Sequence, residues 1–538
     1  MAGHEYYEYN LDNLNYNSAY GLIDGFASYA NFVGRYTGGT FSSPGGNMIK
    51  TAMESYFGRA SYIYDEKYYL EASIRRDGSS KFKQKDKRWG TFWSVGAGWR
   101  LTGEEFMKGT NSWLNDLKIR SSYGLIGNQS GIGNYSGYQL WSYGAVYTSS
   151  TAGTGIPASY TLSQGAFVND GLTWENTRTF DAGIDFTMFK RVHGSIDWYN
   201  KNTINSVYNQ PIAISLGQST ITKNSAGLRN RGIEVDLNID IIKNKDINWT
   251  VGVNGTHYTT VLTKVPAGVG SDALNGNWTA GVDGWSANGG GSTGETAYLR
   301  GVGKDFYNLY FFKYGGVDNQ TGLPLFHHRV TAADHAAGKF ESTKIGDDIK
   351  TTDYSLASRY EMGSALPKWI GGFNTSFRYK QFDFSAILAY QLGGKYLSVE
   401  YANGLYMNGN IGSAMSAELL NNTWTPENTD AKFPMALYGN TFATNGATIG
   451  SWMYSDLGLF SASYLNIKNI SIGYNLPASL LSKIKASNFR VFASADNVAM
   501  ITGHSGYDPR MSLVGGLEVG AYGYPYMSTV SMGVNLTF

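Results

Sequence analysis

The sequence predicts an all-β chain built from antiparallel hairpins, and three observations carry that prediction. Apolar and polar residues alternate with a period of two over long stretches. The alternating stretches come in pairs joined by very short connections. Gly makes up 68 of the 538 residues and Pro only 11, against usual shares of about 7% and 5%. A period of two sends successive side chains to opposite faces, so each stretch reads as a strand with one apolar and one wet face.

In chain order, the first pair lies near residues 53–64 and 67–76 and meets at Asp65-Glu66. The second, near 179–189 and 191–200, meets at Lys190-Arg191. The third, near 228–242 and 247–260, meets at Asn244-Lys245. Its first strand has the strictest alternation: Ile233, Val235, Leu237, Ile239 and Ile241 oppose Glu234, Asp236, Asn238 and Asp240. The fourth pair, near 369–380 and 382–392, turns at Gln381. The chain closes on Val530, Met532, Val534, Leu536 and Phe538 opposite Ser531, Gly533, Asn535 and Thr537. Connections this tight imply antiparallel neighbours. The template finds about fourteen strands in all.

Between the pairs run long segments rich in Gly, Ser, Thr, Asn and Tyr: 127–173, 264–300, 325–360 and 396–458. Short turns at one end and long loops at the other suit a membrane barrel. A water-soluble β-sandwich also alternates, with the apolar face as its core. Three features favour the barrel. Many strands reach the 9–11 residues that a tilted strand needs to cross a bilayer. Aromatics stand near strand ends, at Trp89 and Trp99, Trp198 and Tyr199, Tyr379 and Tyr390. The last strand ends on Phe538. The fold class is therefore an all-β, antiparallel transmembrane β-barrel.

Composition excludes several functions. Net charge is 43 − 42 = +1, so no electrostatic footprint for nucleic acid is present. With no Cys there is no disulfide and no thiol nucleophile. No run of about 18 apolar residues offers a transmembrane helix. The start, Met1-Ala2-Gly3-His4-Glu5-Tyr6-Tyr7, has neither the basic nor the apolar part of a signal peptide. Phosphate-loop, dinucleotide, nucleophile-elbow and zincin motifs are missing. No enzyme activity, catalytic residue, metal or cofactor is expected. Asp318-Asn319-Gln320-Thr321-Gly322 lacks the closing acid of a calcium loop and reads as a turn. His327 and His328, with His335 nearby, point to opposite faces if they lie on a strand, which argues against a shared metal.

Several segments carry a family resemblance. They include Ser55-Tyr56-Phe57-Gly58-Arg59, Arg75-Arg76-Asp77-Gly78-Ser79-Ser80-Lys81-Phe82 and Trp89-Gly90-Thr91-Phe92-Trp93. Leu172-Thr173-Trp174-Glu175, Arg229-Asn230-Arg231-Gly232-Ile233-Glu234 and Trp424-Thr425-Pro426-Glu427-Asn428-Thr429-Asp430-Ala431 follow. Asp496-Asn497 and Gly506-Tyr507-Asp508-Pro509 come near the end. In this order they resemble the SusC/RagA family of TonB-dependent outer-membrane transporters from Bacteroidetes.

The resemblance implies a multi-pass barrel in the cell outer membrane, with residues 1–538 as its C-terminal part. A signal peptide, TonB box and plug domain have no counterpart here, and a plugged barrel of this type has about 22 strands. The implied function is TonB-dependent nutrient uptake: import of glycan or peptide fragments with a SusD-like surface lipoprotein. TonB would act through the plug. The alternatives are a secreted carbohydrate-binding β-sandwich and a passive pore. With its first strands missing, the sheet is expected to leave an unpaired edge near residue 53.

Candidate site residues follow. Trp141, Tyr143, Tyr147, Trp278, Trp285, Trp452 and Tyr454 lie in the long segments, where flat apolar rings beside amides and hydroxyls suit an oligosaccharide or peptide substrate. Val534, Leu536 and Phe538 resemble the signal read by the barrel-assembly machinery. Glu234, Asp236, Asp240 and Asp383 on the wet face are expected to meet lumenal arginines.

Overall fold

A computed structural model describes residues 1–15, 35–37, 40–42, 45–145, 160–164, 168–213, 215, 220–265, 299, 301–405, 415–436, 452, 455–481, 483, 485–504, 508–512 and 526–538. Fourteen strands form one sheet in which every neighbour is also the next strand in sequence. They are β1 (Ala2–Asn15), β2 (Gly45–Tyr64), β3 (Tyr68–Ser79), β4 (Trp89–Arg100), β5 (Leu114–Asn128), β6 (Glu175–Met188) and β7 (Val192–Pro211). Then come β8 (Thr220–Lys243), β9 (Ile247–Lys264), β10 (Trp369–Tyr379), β11 (Phe382–Leu392), β12 (Tyr464–Asn475), β13 (Asn488–Thr502) and β14 (Thr529–Thr537). All the pairings are antiparallel. The wall is a single meandering sheet, which excludes the stacked pair of sheets that a sandwich requires. Among the described residues, no helix is long and apolar enough to cross a membrane.

The outer strand differs from expectation. The sheet edge is β1, which pairs with β2 from Ala2↔Gly58 to Asn15↔Gly45. Residue 53 is paired on both sides, with Tyr7 and with Ser79. The stretch Gly3–Tyr9 mixes Tyr and Glu on both faces and so hides its period.

Turn chemistry sets the hairpins. Asp65 and Glu66 both have positive φ (50° and 51°), the geometry of a two-residue turn whose twist matches its strands. The second hairpin centres on Phe189 and Lys190 (φ 54° and 56°), one residue before the expected turn. There the Lys190 N–H donates to Asn115 Oδ1 at 2.6 Å, so the start of the neighbouring strand β5 helps choose the centre. At the third, Asn244 Oδ1 accepts from the N–H groups of Asp246 and Ile247, at 3.0 and 2.7 Å.

Connection lengths differ sharply between neighbouring hairpins. Turns of two or three residues join β2–β3, β6–β7, β8–β9 and β10–β11, whereas 104 residues (265–368) separate β9 from β10 and 71 residues (393–463) separate β11 from β12. In a meander, alternate connections fall at the same end, so both long loops stand on one rim.

Those two loops carry structure of their own. Strands Tyr314–Val317, Pro324–Arg329 and Asp348–Thr351 make a three-stranded sheet, the last two of them reaching into the stretch 325–360 expected to be loop. Helix Ala332–Ala336 starts at a capping box in which Thr331 and Asp334 satisfy each other's N–H groups. Phe326 from one loop joins Tyr401, Leu405, Leu419, Phe433 and Trp452 from the other in a common apolar core.

Candidate functional site

Two features are placed to meet a solute: the polar face of the sheet and the loop unit on its rim. On the polar face, Arg120 of β5 gathers three aspartates from the next two strands. Its Nε lies 3.2 Å from Asp185, its Nη1 3.6 Å from Asp181, and its Nη2 2.6 and 2.7 Å from the two oxygens of Asp197. Asp181 and Asp185 stand on β6, whereas Asp197 stands on β7, beyond it. The guanidinium crosses β6 at Gly183, where a Cβ would collide with Asp197 and come within 3.1 Å of Arg120 Cζ.

The same construction recurs at Gly473 of β12. Arg490 of β13 passes over it to Asp383 of β11, and a Cβ on Gly473 would meet both partners. Asp383 thus meets an arginine as expected. Asp240 instead pairs with Lys243 at 2.9 Å, and Asp236 accepts from Asn238 at 2.7 Å. A cavity of about 420 Å³ opens beside Arg120, with Tyr69, Glu71, Ser94, Lys118 and Asp181 in its lining. A hydrated wall of paired charges can pass polar solutes without binding any one of them tightly.

The loop unit is held by contacts between segments far apart in sequence. Asp456 Oδ1 accepts from the Tyr314 N–H at 2.8 Å. The Tyr314 hydroxyl donates to the Lys432 carbonyl at 3.0 Å, and Trp424 Nε1 donates to the Asn319 carbonyl at 3.1 Å. Burial pushes the Asp456 carboxyl above its ordinary range, against the pull of the Tyr314 N–H. Glu418 moves the other way. The Tyr401 hydroxyl (2.8 Å), then Lys432 (3.3 Å), hold its carboxyl below the usual carboxylate range. The Trp424–Ala431 motif folds into a tight turn, in which Asn428 donates to the carbonyls of Asn421 and Thr423 at 3.0 and 3.2 Å.

The candidate substrate residues are placed unequally. Trp452 is fully buried between Phe433 and Tyr314, so its ring faces protein on all sides. Trp141 and Tyr143 lie on a strand, Trp141–Ala145, paired with Tyr160–Gln164. Tyr147, Trp278, Trp285 and Tyr454 lie outside the described residues. Val534, Leu536 and Phe538 are all exposed on or beside the outer strand β14. His327 and His328 bond to different carboxylates, Asp348 and Asp334, at 2.9 and 3.1 Å. Asp318 accepts from the N–H groups of Gln320 and Thr321, at 3.2 and 2.8 Å, in a turn between two strands.

Sequence reasoning missed Arg120 and Arg490, because nothing local marks an arginine whose partners lie on other strands, far off in sequence. It also missed Tyr314, Phe326, Phe433 and Asp456, which sit in elements of three to six residues or in none. The capping box at Thr331 was the one local signal available there.

Residues 2–498 match the family described as TonB dependent receptor-like, beta-barrel. TonB-dependent receptor P3 of Formosa agariphila is 28% identical over 550 residues, covering 100% of this chain and 50% of the relative. TonB-dependent receptor SusC of Bacteroides thetaiotaomicron is 28% identical, covering 91% of this chain and 44% of that protein. Among solved structures, the RagAB peptide transporter superposes with a TM-score of 0.76 at 26% identity, covering 100% of this chain and 53% of that one. The chain therefore spans about half the length of the curated relatives it matches.

Proposed function

Because the chain belongs to the TonB-dependent receptor-like β-barrel family, in its SusC/RagA branch, we propose that it walls an energised importer of peptide or glycan fragments in the outer membrane. The observation that carries this reading is the pairing of a charged polar face with a folded loop unit on one rim of the same sheet. The polar face lines the path, and the apolar face meets lipid. The loop unit stands where cargo arrives and where a SusD-like surface lipoprotein would sit. TonB would act through a plug supplied by sequence outside this chain. A peptide cargo is supported by the likeness to the RagAB peptide transporter. A glycan cargo is supported by the aromatic-rich long segments around Trp141 and Trp278.

The test is growth on a single peptide or oligosaccharide source. The locus would be deleted, then restored, in strains with and without TonB. Loss of growth on deletion, and equal loss without TonB, is the expected result. Growth that survives the loss of TonB would replace energised import with a passive pore.

A further inference from the structure

The two faces of the sheet treat their arginines differently. Arg75, Arg100, Arg120 and Arg490 on the polar face each hold at least one carboxylate. Arg178, Arg229 and Arg231 stand on the apolar face, and none of them holds a carboxylate among the described residues. Alternation places them there. Arg178 shares its side of β6 with Phe180, Ala182 and Ile184, and Arg229 and Arg231 share their side of β8 with Ile233 and Val235. The exposed rings of Phe180 and Trp198 lie 5.9 Å apart, so β7 presents Trp198 on that same face.

Register brings the three together. Across β6, β7 and β8, one row of Cα partners runs Arg178–Asn202–Arg229 and the next runs Phe180–Asn200–Arg231. Two strand spacings put the Cα atoms of Arg178 and Arg229 about 10 Å apart, and one same-face step puts those of Arg229 and Arg231 about 7 Å apart. Amides, not acids, stand between them. The first row continues to Val261, opposite Asp305, whose carboxylate already accepts from the Tyr307 N–H at 2.8 Å. The level is that of a membrane interface. Toward the short turns the same face is apolar, from Ile233 to Ile241 on β8 and from Phe180 to Met188 on β6. The row next to Arg231 holds Trp198, Ile233 and His257, and Trp369 lies 5.3 Å from that histidine ring. Aromatic girdles of this kind flank the apolar band of a barrel.

A charge is costly at the bilayer midplane and nearly free at its interface, so arginines are tolerated at this border. The long loops mark the rim that faces outside the cell. Arg178 and Arg231 are exposed. Arg229 is half-buried, and its Nε is closed to solvent with no acceptor among the described residues. A guanidinium fork matches a phosphate with two parallel bonds, and basic clusters at a bilayer surface hold anionic headgroups. We infer that Arg178, Arg229 and Arg231 dock the phosphate of an anionic lipid in the outer leaflet, whose chains lie on the apolar face around Phe180 and Trp198. This rests on the reading that the apolar face meets lipid, and it is independent of the cargo.

The test is native mass spectrometry of the protein extracted from outer membranes into a non-ionic detergent. The probes are lipid A, which carries phosphate, the same lipid after enzymatic dephosphorylation, and inorganic phosphate as a competitor. The phosphorylated lipid should bind more tightly than the dephosphorylated one. R178Q, R229Q and R231Q should each weaken binding of the phosphorylated lipid roughly fivefold and leave the dephosphorylated lipid unchanged. K201Q removes an exposed cation that stands between Asn200 and Asn202 but on the opposite face, and it should change nothing. Inorganic phosphate should not displace the lipid, because it has no chains to lie on the apolar face. R231K, which keeps the charge but loses the fork, provides a second variant should a glutamine variant fold poorly, and it should still bind the phosphorylated lipid more weakly than the unaltered protein.

Equal binding of the two lipids overturns the inference and leaves the lipid-facing reading intact. Binding of neither lipid overturns both. An equal loss in K201Q would mean a diffuse field and no site. Complete displacement by inorganic phosphate would overturn the lipid assignment. Binding is read without transport, so a phosphate preference can stand even if TonB dependence of uptake fails, and the reverse also holds.

Discussion

Arg490 reaches over Gly473 to Asp383 two strands away, with Nε and Nη2 at 3.1 and 2.5 Å from the two carboxylate oxygens. Ladder hydrogen bonds join only adjacent strands. This ion pair joins β11 to β13 directly and passes over β12 where that strand has no side chain. Arg120, Gly183 and Asp197 tie β5 to β7 in the same way.

Gly473→Ala should therefore break the strap without disturbing backbone conformation. The added methyl overpacks the crossing, at a cost of about 1–3 kcal/mol. The measurement is the temperature at which the folded, fast-migrating band gives way to the unfolded one in a gel. Asp383→Asn should lower that temperature too. The double variant should do little more than either alone, because both changes remove one interaction. Fully additive losses would mean that the two positions act separately.

Arg120→Met should leave Asp181, Asp185 and Asp197 facing one another without the guanidinium they share. Water reaches this face, since the Arg120 side chain is 35% exposed, so the expected loss is only about 1 kcal/mol. It should shrink as salt rises. A salt-independent loss would point to packing instead of charge.

Trp452→Ala should empty the centre of the loop unit. A fully buried aromatic costs about 3–5 kcal/mol on truncation. The damage should stay local: protease cuts should appear in 299–364 and 395–436 while the sheet remains heat-resistant. Loss of the whole barrel would show that the loop unit is not a separable body.

Acid should loosen the same unit through Glu418. Its folded carboxyl titrates below the ordinary value of 4.5, held by Tyr401 and then Lys432. A depressed carboxyl contributes stability that is fully present above that ordinary value and is lost as pH falls through the folded one. Hydrogen exchange around residues 416–436 should accelerate below about pH 4.5. In Glu418→Gln, that acceleration should be weaker. An unchanged pH profile in the variant would assign the acid response to another group.

Phe538→Ser should spare the folded sheet and impair its delivery. Phe538 is 82% exposed and contributes no core contact. Refolding into detergent should be unchanged, while the amount of assembled barrel in cells should fall several-fold. Normal assembly in cells would remove the terminal signal from the account.

The wall was legible because each strand repeats its own evidence. Ile233 to Ile241 against Glu234 to Asp240 state both the strand and its two faces within nine residues. Strand β1 was not legible, because Tyr6, Tyr7 and Tyr9 occupy both faces and a tyrosine suits either. The loop unit was invisible for a different reason. Phe326 meets Trp452 only through folding of segments more than a hundred residues apart, and elements of three to six residues are too short to show a period. The glycines at 183 and 473 were readable as glycines. Their purpose depends on which side chains stand one strand to either side.

The bond between Tyr314 and Asp456 joins two loops that the chain lays down 142 positions apart. Neither loop carries the apolar core alone, so they form a single unit of inheritance. Transplanting either one into a related barrel would leave that core incomplete, since Phe326 comes from one loop and the other six buried members from the second, so the two segments have to travel together.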